Sequence, residues 1–307
     1  MKKFFVLFFS LLFSSFSVSS LYASSAPQSL GIIISPPVFS NLTANPGSVI
    51  SNVIKVYNTS PSPLNVLMEK DNYTAVGDNG EVKLQNPNVN DQYSLASWIT
   101  VSPTSLDILP NSYKYVHFTI NVPINAQPGS RFASIVAFVS GSNNPTGSGV
   151  GTKIGSLILL TISGNANVSA NLLSFSSSPT ISQGGNINFI QKIKDTGNVT
   201  LKPTGRIIIT NMFGQKVATI PIESRDVIPS AVRKTEEQFS TKNLFGEYTA
   251  SLLVNYNSEG KGGNLSATST FWVIPVDEIL VIIIIIIIIF IFRKNIQRSL
   301  KAFFSKN

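Results

Sequence analysis

The side chains able to do chemistry in this chain are few and scattered. Its single histidine, His117, stands in Tyr113-Lys114-Tyr115-Val116-His117-Phe118. A triad or a metal site needs partners at matching spacing, and without them a strand histidine among aromatics reads as packed or half exposed. Glu69 and Asp71 sit two apart, hence on one face of a strand, while Lys70 points the other way. Paired-carboxylate chemistry needs that arrangement, but no second acidic cluster lies nearby in sequence, so the pair reads as a solvated edge. The stretch from Pro145 to Lys153 superficially resembles a phosphate loop. It fails on order, because that loop places Lys directly after Gly and before Ser or Thr, and a helix should follow rather than the strand-like Ile154 to Ile162. A mobile hairpin tip between two strands is the expectation. Asp78-Asn79-Gly80-Glu81 lacks the alternating ligands and terminal Glu of a calcium loop and reads as a tight turn. A Ser-Lys dyad stays open, but nothing nominates a particular pair. No cysteine occurs, which excludes disulfides, thiolate metal sites and cysteine nucleophiles. The expectation is therefore a protein without catalytic residues, metal or cofactor.

The elements that must carry these residues are strands. From Gly31 to Ser163 short β-branched and aromatic runs alternate with Pro, Gly, Asn and Asp, and no 3.6-residue period is sustained. Candidate strands include 31–35, 49–58, 64–73, 81–84, 98–101, 105–109, 113–122, 132–139 and 152–163. Within the second of these, Ile50, Asn52, Ile54 and Val56 share the face suited to a core, and Val49, Ser51, Val53, Lys55 and Tyr57 share the other. After the joint at 164–168 a second series follows at 169–174, 187–194, 205–211, 216–221, 233–239, 248–256 and 266–274. The fold class expected is all-β, with two tandem immunoglobulin-like sandwiches at 30–165 and 166–275. The halves echo each other. Asp107-Ile108-Leu109-Pro110-Asn111 matches Asp226-Val227-Ile228-Pro229-Ser230, and Gly129-Ser130-Arg131-Phe132-Ala133-Ser134 matches Gly246-Glu247-Tyr248-Thr249-Ala250-Ser251. Two motifs at near-equal separation suggest a duplicated sandwich.

The two ends give the topology. Lys2 and Lys3, an apolar run from Phe4 to Phe13 and small residues through Ser25 have the layout of a secretory signal, placed at 1–25. Near the other end, Ile279 to Phe292 is an apolar run containing eight consecutive isoleucines and closed by Arg293 and Lys294. Fourteen residues of helix span roughly 21 Å, short of the ~30 Å hydrocarbon layer. Counting from Trp272 adds enough length, with Asp277 and Glu278 near the outer surface and Arg293 and Lys294 snorkelling at the inner one. A transmembrane helix is expected at 276–294, with Ile279, Val281, Ile289 and Phe292 inside the span. A basic tail at 295–307 is expected on the cytoplasmic side.

Charge supports the same orientation. The formal net charge is +8, but residues 26–278 hold 16 Lys plus Arg against 15 Asp plus Glu. The excess lies in Lys2, Lys3, Arg293, Lys294, Arg298, Lys301 and Lys306, where it marks the cytoplasmic flank. The exported part is nearly neutral, so basicity gives no reason to expect a nucleic-acid partner. A single-pass protein of the cell membrane is expected, with both sandwiches outside.

Several segments carry a family resemblance. Trp98-Ile99, Leu106 to Pro110, Phe118 to Pro123, Ala126 to Gly129 and Phe132 to Ile135 resemble the first domain of bacterial WxL-interacting proteins, the DUF916-like domain. Phe271-Trp272-Val273-Ile274-Pro275 before the anchor fits as well. The resemblance implies a signal peptide, two immunoglobulin-like domains, a transmembrane helix and a short basic tail. It also implies a first domain associated with peptidoglycan and a second with host or partner surfaces, and it carries over no binding residue. The expected function is thus a non-catalytic, membrane-anchored surface protein that binds cell-wall polymer or a surface protein partner. The alternative is a chaperone-like assembly factor that donates a sheet edge to a secreted subunit.

Overall fold

The computed structural model describes residues 31–89, 91–140, 151–258 and 260–304. The expected signal at 1–25, with Lys2 and Lys3, and the hairpin tip before Gly151 lie outside them. Strands dominate. The first half holds β1 (Ile32–Ser35), β2 (Val38–Ala44), β3 (Val49–Asn58), β4 (Leu64–Val76), β5 (Glu81–Gln85), β6 (Ile99–Ser102), β7 (Ser105–Ile108), β8 (Tyr113–Asn121), β9 (Gly129–Val139) and β10 (Thr152–Ile162). The second holds β11 (Ala170–Ser178), β12 (Ile181–Ser182), β13 (Asn186–Asp195), β14 (Thr204–Asn211), β15 (Lys216–Pro221), β16 (Val232–Ser240), β17 (Gly246–Ser258) and β18 (Lys261–Val273). One helix, α1 (Val276–Phe304), follows.

These strands form four sheets in two pairs. In the first half β1-β3-β8-β6 faces β2-β10-β9-β4-β5, with β7 also paired to β4. In the second half β11-β13-β16 faces β12-β18-β17-β14-β15. Each pair encloses its own apolar core. Ile54, Val56, Val116, Phe118 and Ile120 meet Val66, Ile135, Ala137, Ile158 and Leu160 in the first, and Ile187, Phe189, Ile207, Ala250, Leu252 and Phe271 fill the second. Period-two alternation drives this, since burying one face of a strand leaves the other to solvent. Ile54 and Val56 are fully buried, as expected of their face, while Ile50 and Asn52 are only half-buried at the start of the strand.

Both halves enter their sheets the same way. β1 runs antiparallel to β3; the chain then passes the cis Ser35-Pro36 bond, and β2 runs parallel to β10. In the second half β11 pairs β13, the cis Ser178-Pro179 bond follows, and β12 runs parallel to β18. The echoed motifs fall at equivalent places. Asn111 and Ser230 both take positive φ, 52° and 66°, in the turns before β8 and β16, and Gly129 and Gly246 both take positive φ at the starts of β9 and β17. β2 was not expected, because Pro36, Pro37 and Asn41 broke the run and its partner lies some 120 positions away.

α1 is a single helix of 29 residues, about 43 Å long at ~1.5 Å per residue. It continues past Lys294 and Arg298, so no break separates the expected span from the expected tail. No Gly or Pro occurs after Pro275 to interrupt it. Val281, Ile289 and Phe292 are each about half exposed. Among the described residues no helix is long and apolar enough to cross a membrane. The uninterrupted apolar run is the fourteen residues between Glu278 and Arg293.

Candidate functional site

The residues singled out for chemistry do not converge. His117 lies exposed on the outer face of the β1-β3-β8-β6 sheet, opposite Val53 and Ser102. Among the described residues no group of His, Asp and Glu is placed to hold a metal ion. Glu69 and Asp71 do share a face of β4. Glu69 is engaged by Lys153 of β10, whose Nζ donates to Oε2 at 2.6 Å, and that hydrogen bond raises the lysine pKa. Partial burial raises the Asp71 pKa, which the Lys153 charge partly offsets. Lys70 points to the opposite face, where its ammonium donates to the Ile99 carbonyl. Thr152 and Lys153 open a strand, where a phosphate loop would be followed by a helix.

The turn at Asp78-Asn79-Gly80 performs a task that sequence did not reveal. It docks on the second half. The Asp78 carboxylate meets Lys192 Nζ at 2.6 Å, the Lys234 N–H donates to the Asp78 carbonyl at 2.6 Å, and the Arg233 guanidinium packs against Gly80. The hydrogen bond from Lys192 holds the Asp78 carboxyl below its ordinary pKa. A second contact forms near the joint, where Asn198 Nδ2 donates to the Pro128 carbonyl and the Ser130 N–H donates to the Asn198 carbonyl. Between these contacts Tyr73, Phe132 and Leu159, with Ile228 against them, form a third apolar cluster joining the halves. That cluster covers Phe132 on the face of β9 turned away from the first core. Burial there raises the Tyr73 pKa far above its ordinary value.

Two surfaces bear on recognition of a partner. The first is a sheet edge. β10 pairs β9 along its whole length, but β2 reaches it only from Leu157 onward. The Leu157 N–H donates to the Pro37 carbonyl, so by the two-residue alternation of a ladder the backbone groups of Gly155 and Lys153 face the same side. No strand of the described residues pairs with them there. β18 leaves a longer edge open, but β11 lies against it: the Ser177 N–H donates to Ser269 Oγ at 3.1 Å. β5 is blunted by exposed Glu81 and Lys83, a common guard on an edge strand.

The second surface is the outer face of the β1-β3-β8-β6 sheet. Register places Ile33, Tyr57 and Tyr113 in one row and Ser35, Lys55 and Tyr115 in the next. The Tyr57 and Tyr113 rings lie near parallel with centroids 6.4 Å apart, and Tyr115 meets Tyr113 edge-on at 5.4 Å. Lys55 Nζ sits 3.7 Å from the Tyr113 ring centroid. Tyr113 and Tyr115 remain 46% and 52% exposed, which leaves aromatic surface free for a ligand. The alternation of β3 gave this outward face from sequence; its tyrosine partners came only with the β3-β8 register.

No family model and no curated protein matches the chain. Among solved structures, the class 5 fimbriae chaperone CfaA is similar with a TM-score of 0.37 at 17% identity, over 78% of this chain and 98% of that one. The E. coli chaperone DraB gives 0.37 at 11% identity, over 78% and 98%. A structure of the Salmonella enterica SafA pilin in complex with the SafB chaperone gives 0.36 at 8% identity, over 81% and 99%. Overlaps this loose carry no functional weight.

Proposed function

We propose that the chain is a non-catalytic protein of two immunoglobulin-like sandwiches, held outside the cell membrane by α1, that lends a sheet edge to an extended segment of a surface protein partner. The half-open edge of β10 supports this reading. Strand addition draws affinity from main-chain hydrogen bonds, and Lys153 and Gly155 offer donors and acceptors on the unpaired side, beside the partly buried Ile154. The anchor is supported by the run from Ile279 to Phe292 with its flanks. Trp272 and Val273 belong to β18, so the span must come from α1 alone: Val276 to Arg293 is about 27 Å of helix at ~1.5 Å per residue, close to the ~30 Å layer, with Asp277, Glu278 and Arg293 near the interfaces. The purified chain, reconstituted in lipid nanodiscs and photo-crosslinked from Thr152, should trap an extended segment of a co-expressed surface protein. Lys153→Pro removes one outward N–H from an edge and should abolish the crosslink while leaving thermal stability near wild type. Equal crosslinking in the proline variant would refute the strand-addition reading.

A wall-polymer reading is favoured by a separate observation, the tyrosine face. Tyr57, Tyr113 and Tyr115, with Lys55 and the hydroxyl of Ser35, suit stacking and hydrogen bonding to a glycan chain. Purified cell wall should retain the chain in a pull-down, and Tyr113→Ala with Tyr115→Ala should release it. Retention unchanged by the double variant would assign wall binding elsewhere.

A further inference from the structure

The second half ends in a cluster of exposed apolar side chains at the pole from which α1 departs. Register fixes the placement: Asn211 at the end of β14 faces Tyr248 of β17, and Gly246 at the start of β17 faces Val273 at the end of β18. Beyond Asn211 the turn presents Met212 and Phe213, which are 53% and 79% exposed. Beside it the turn before β17 presents Phe245, 66% exposed, and the Met212 methyl packs against Gly246. Trp272 and its register partner Ile181 add a further exposed pair at the same end.

Neither turn is loose. Asn211 Oδ1 accepts the N–H groups of Phe213 and Gln215, both at 3.0 Å, and Gly214 takes φ 76°. In the other turn the Tyr248 hydroxyl lies 3.2 Å from the Phe245 carbonyl and 3.3 Å from the Phe245 N–H. Tips this well built ordinarily carry small polar residues, so large apolar ones held out at the tip point to an apolar partner.

We infer that this pole docks on the outer surface of the lipid bilayer, with Phe213, Phe245 and Trp272 among the headgroups. The inference rests on the proposal that α1 is a membrane anchor. Three Cα steps join Val273 to Val276, so the end of β18, which Gly246 faces, lies no more than about 11 Å from the start of the helix. The headgroup layer on one side of a bilayer is about 5 to 8 Å deep, so a helix entering the membrane there brings the tips within reach of it. Aromatic rings at that depth, with lysines reaching outward, are the pattern of an interfacial belt, and Lys216 and Lys242 stand exposed beside the two turns. Glu247, Asp277 and Glu278 lie at the same end and oppose attraction to anionic lipid, so the docking is apolar in origin.

The chain has two tryptophans, Trp98 and Trp272. In full-length protein carrying Trp98→Phe, Trp272→Phe and Phe213→Trp, reconstituted in phosphatidylcholine vesicles, emission should be blue-shifted and quenched by lipids brominated near the headgroup. A second version keeps Trp272 as reporter in Trp98→Phe alone, and there Phe213→Asp with Phe245→Asp should relieve the quenching. Protein that floats with the vesicles while both reporters emit as in water and escape quenching overturns the docking and leaves the anchor standing. Protein that fails to float overturns the anchor and the docking together.

Discussion

Asp195 offers a quantitative test of the second core. It is fully buried; Oδ1 accepts the Gly197 N–H at 2.8 Å, and Oδ2 has no partner among the described residues. Burial pushes its pKa from 3.8 to about 7, against the pull of the Gly197 hydrogen bond. An acid with a raised folded-state pKa gives stability that is fully present below the unfolded pKa and lost as pH rises through the folded one. Between pH 4 and 7 the folded state keeps a proton that the unfolded chain has released. The change from 3.8 to about 7 therefore corresponds to a loss of roughly 4 kcal/mol across that window. Asp195→Asn keeps an acceptor for Gly197 and removes the titration. Urea unfolding in detergent, followed by Trp272 fluorescence in a Trp98→Phe background, reads the second half alone. The wild type should lose stability relative to the asparagine variant as pH rises from 4 to 8, levelling above about 7. The asparagine variant's absolute stability is not the readout, because its amide brings a new buried donor. Parallel curves for the two proteins would refute the assignment of a protonated carboxyl at neutral pH.

Two further outcomes follow from the first half and the joint. Asn72 is buried, with Oδ1 accepting the Leu95 and Ala96 N–H groups at 2.9 and 2.8 Å and Nδ2 donating to the Val89 carbonyl at 3.0 Å. Asn72→Ala should destabilise by about 2 to 4 kcal/mol by leaving those groups unpaired, and an unchanged Tm would contradict this. Gly80 has φ 84° and the Arg233 guanidinium occupies the space a methyl would need. Gly80→Ala should displace that guanidinium and strain the turn at its positive φ, costing about 1 kcal/mol and speeding proteolysis near residue 80; unchanged Tm and proteolysis would mean that the turn does not depend on a glycine there.

Sequence alone determined what local pattern can determine. Alternation along Val49–Asn58 told the buried face from the exposed one, and the paired Pro and Gly motifs marked equivalent turns in both halves. The apolar run before Arg293 announced a helix, and the missing cysteines removed whole classes of chemistry. Each of these depends on a residue and its near neighbours. Tertiary structure decided everything that needed register or docking. Asp78-Asn79-Gly80 looked like an ordinary turn until Lys192 and Arg233 came against it from more than a hundred positions away. Tyr57 became part of an aromatic surface only when β3 paired with β8, and β10 acquired its open edge only because β2 stops pairing at Leu157. Phe213, Phe245 and Trp272 share one pole for the same reason: a strand ladder sets distant residues side by side, and no local period in the chain encodes which ones.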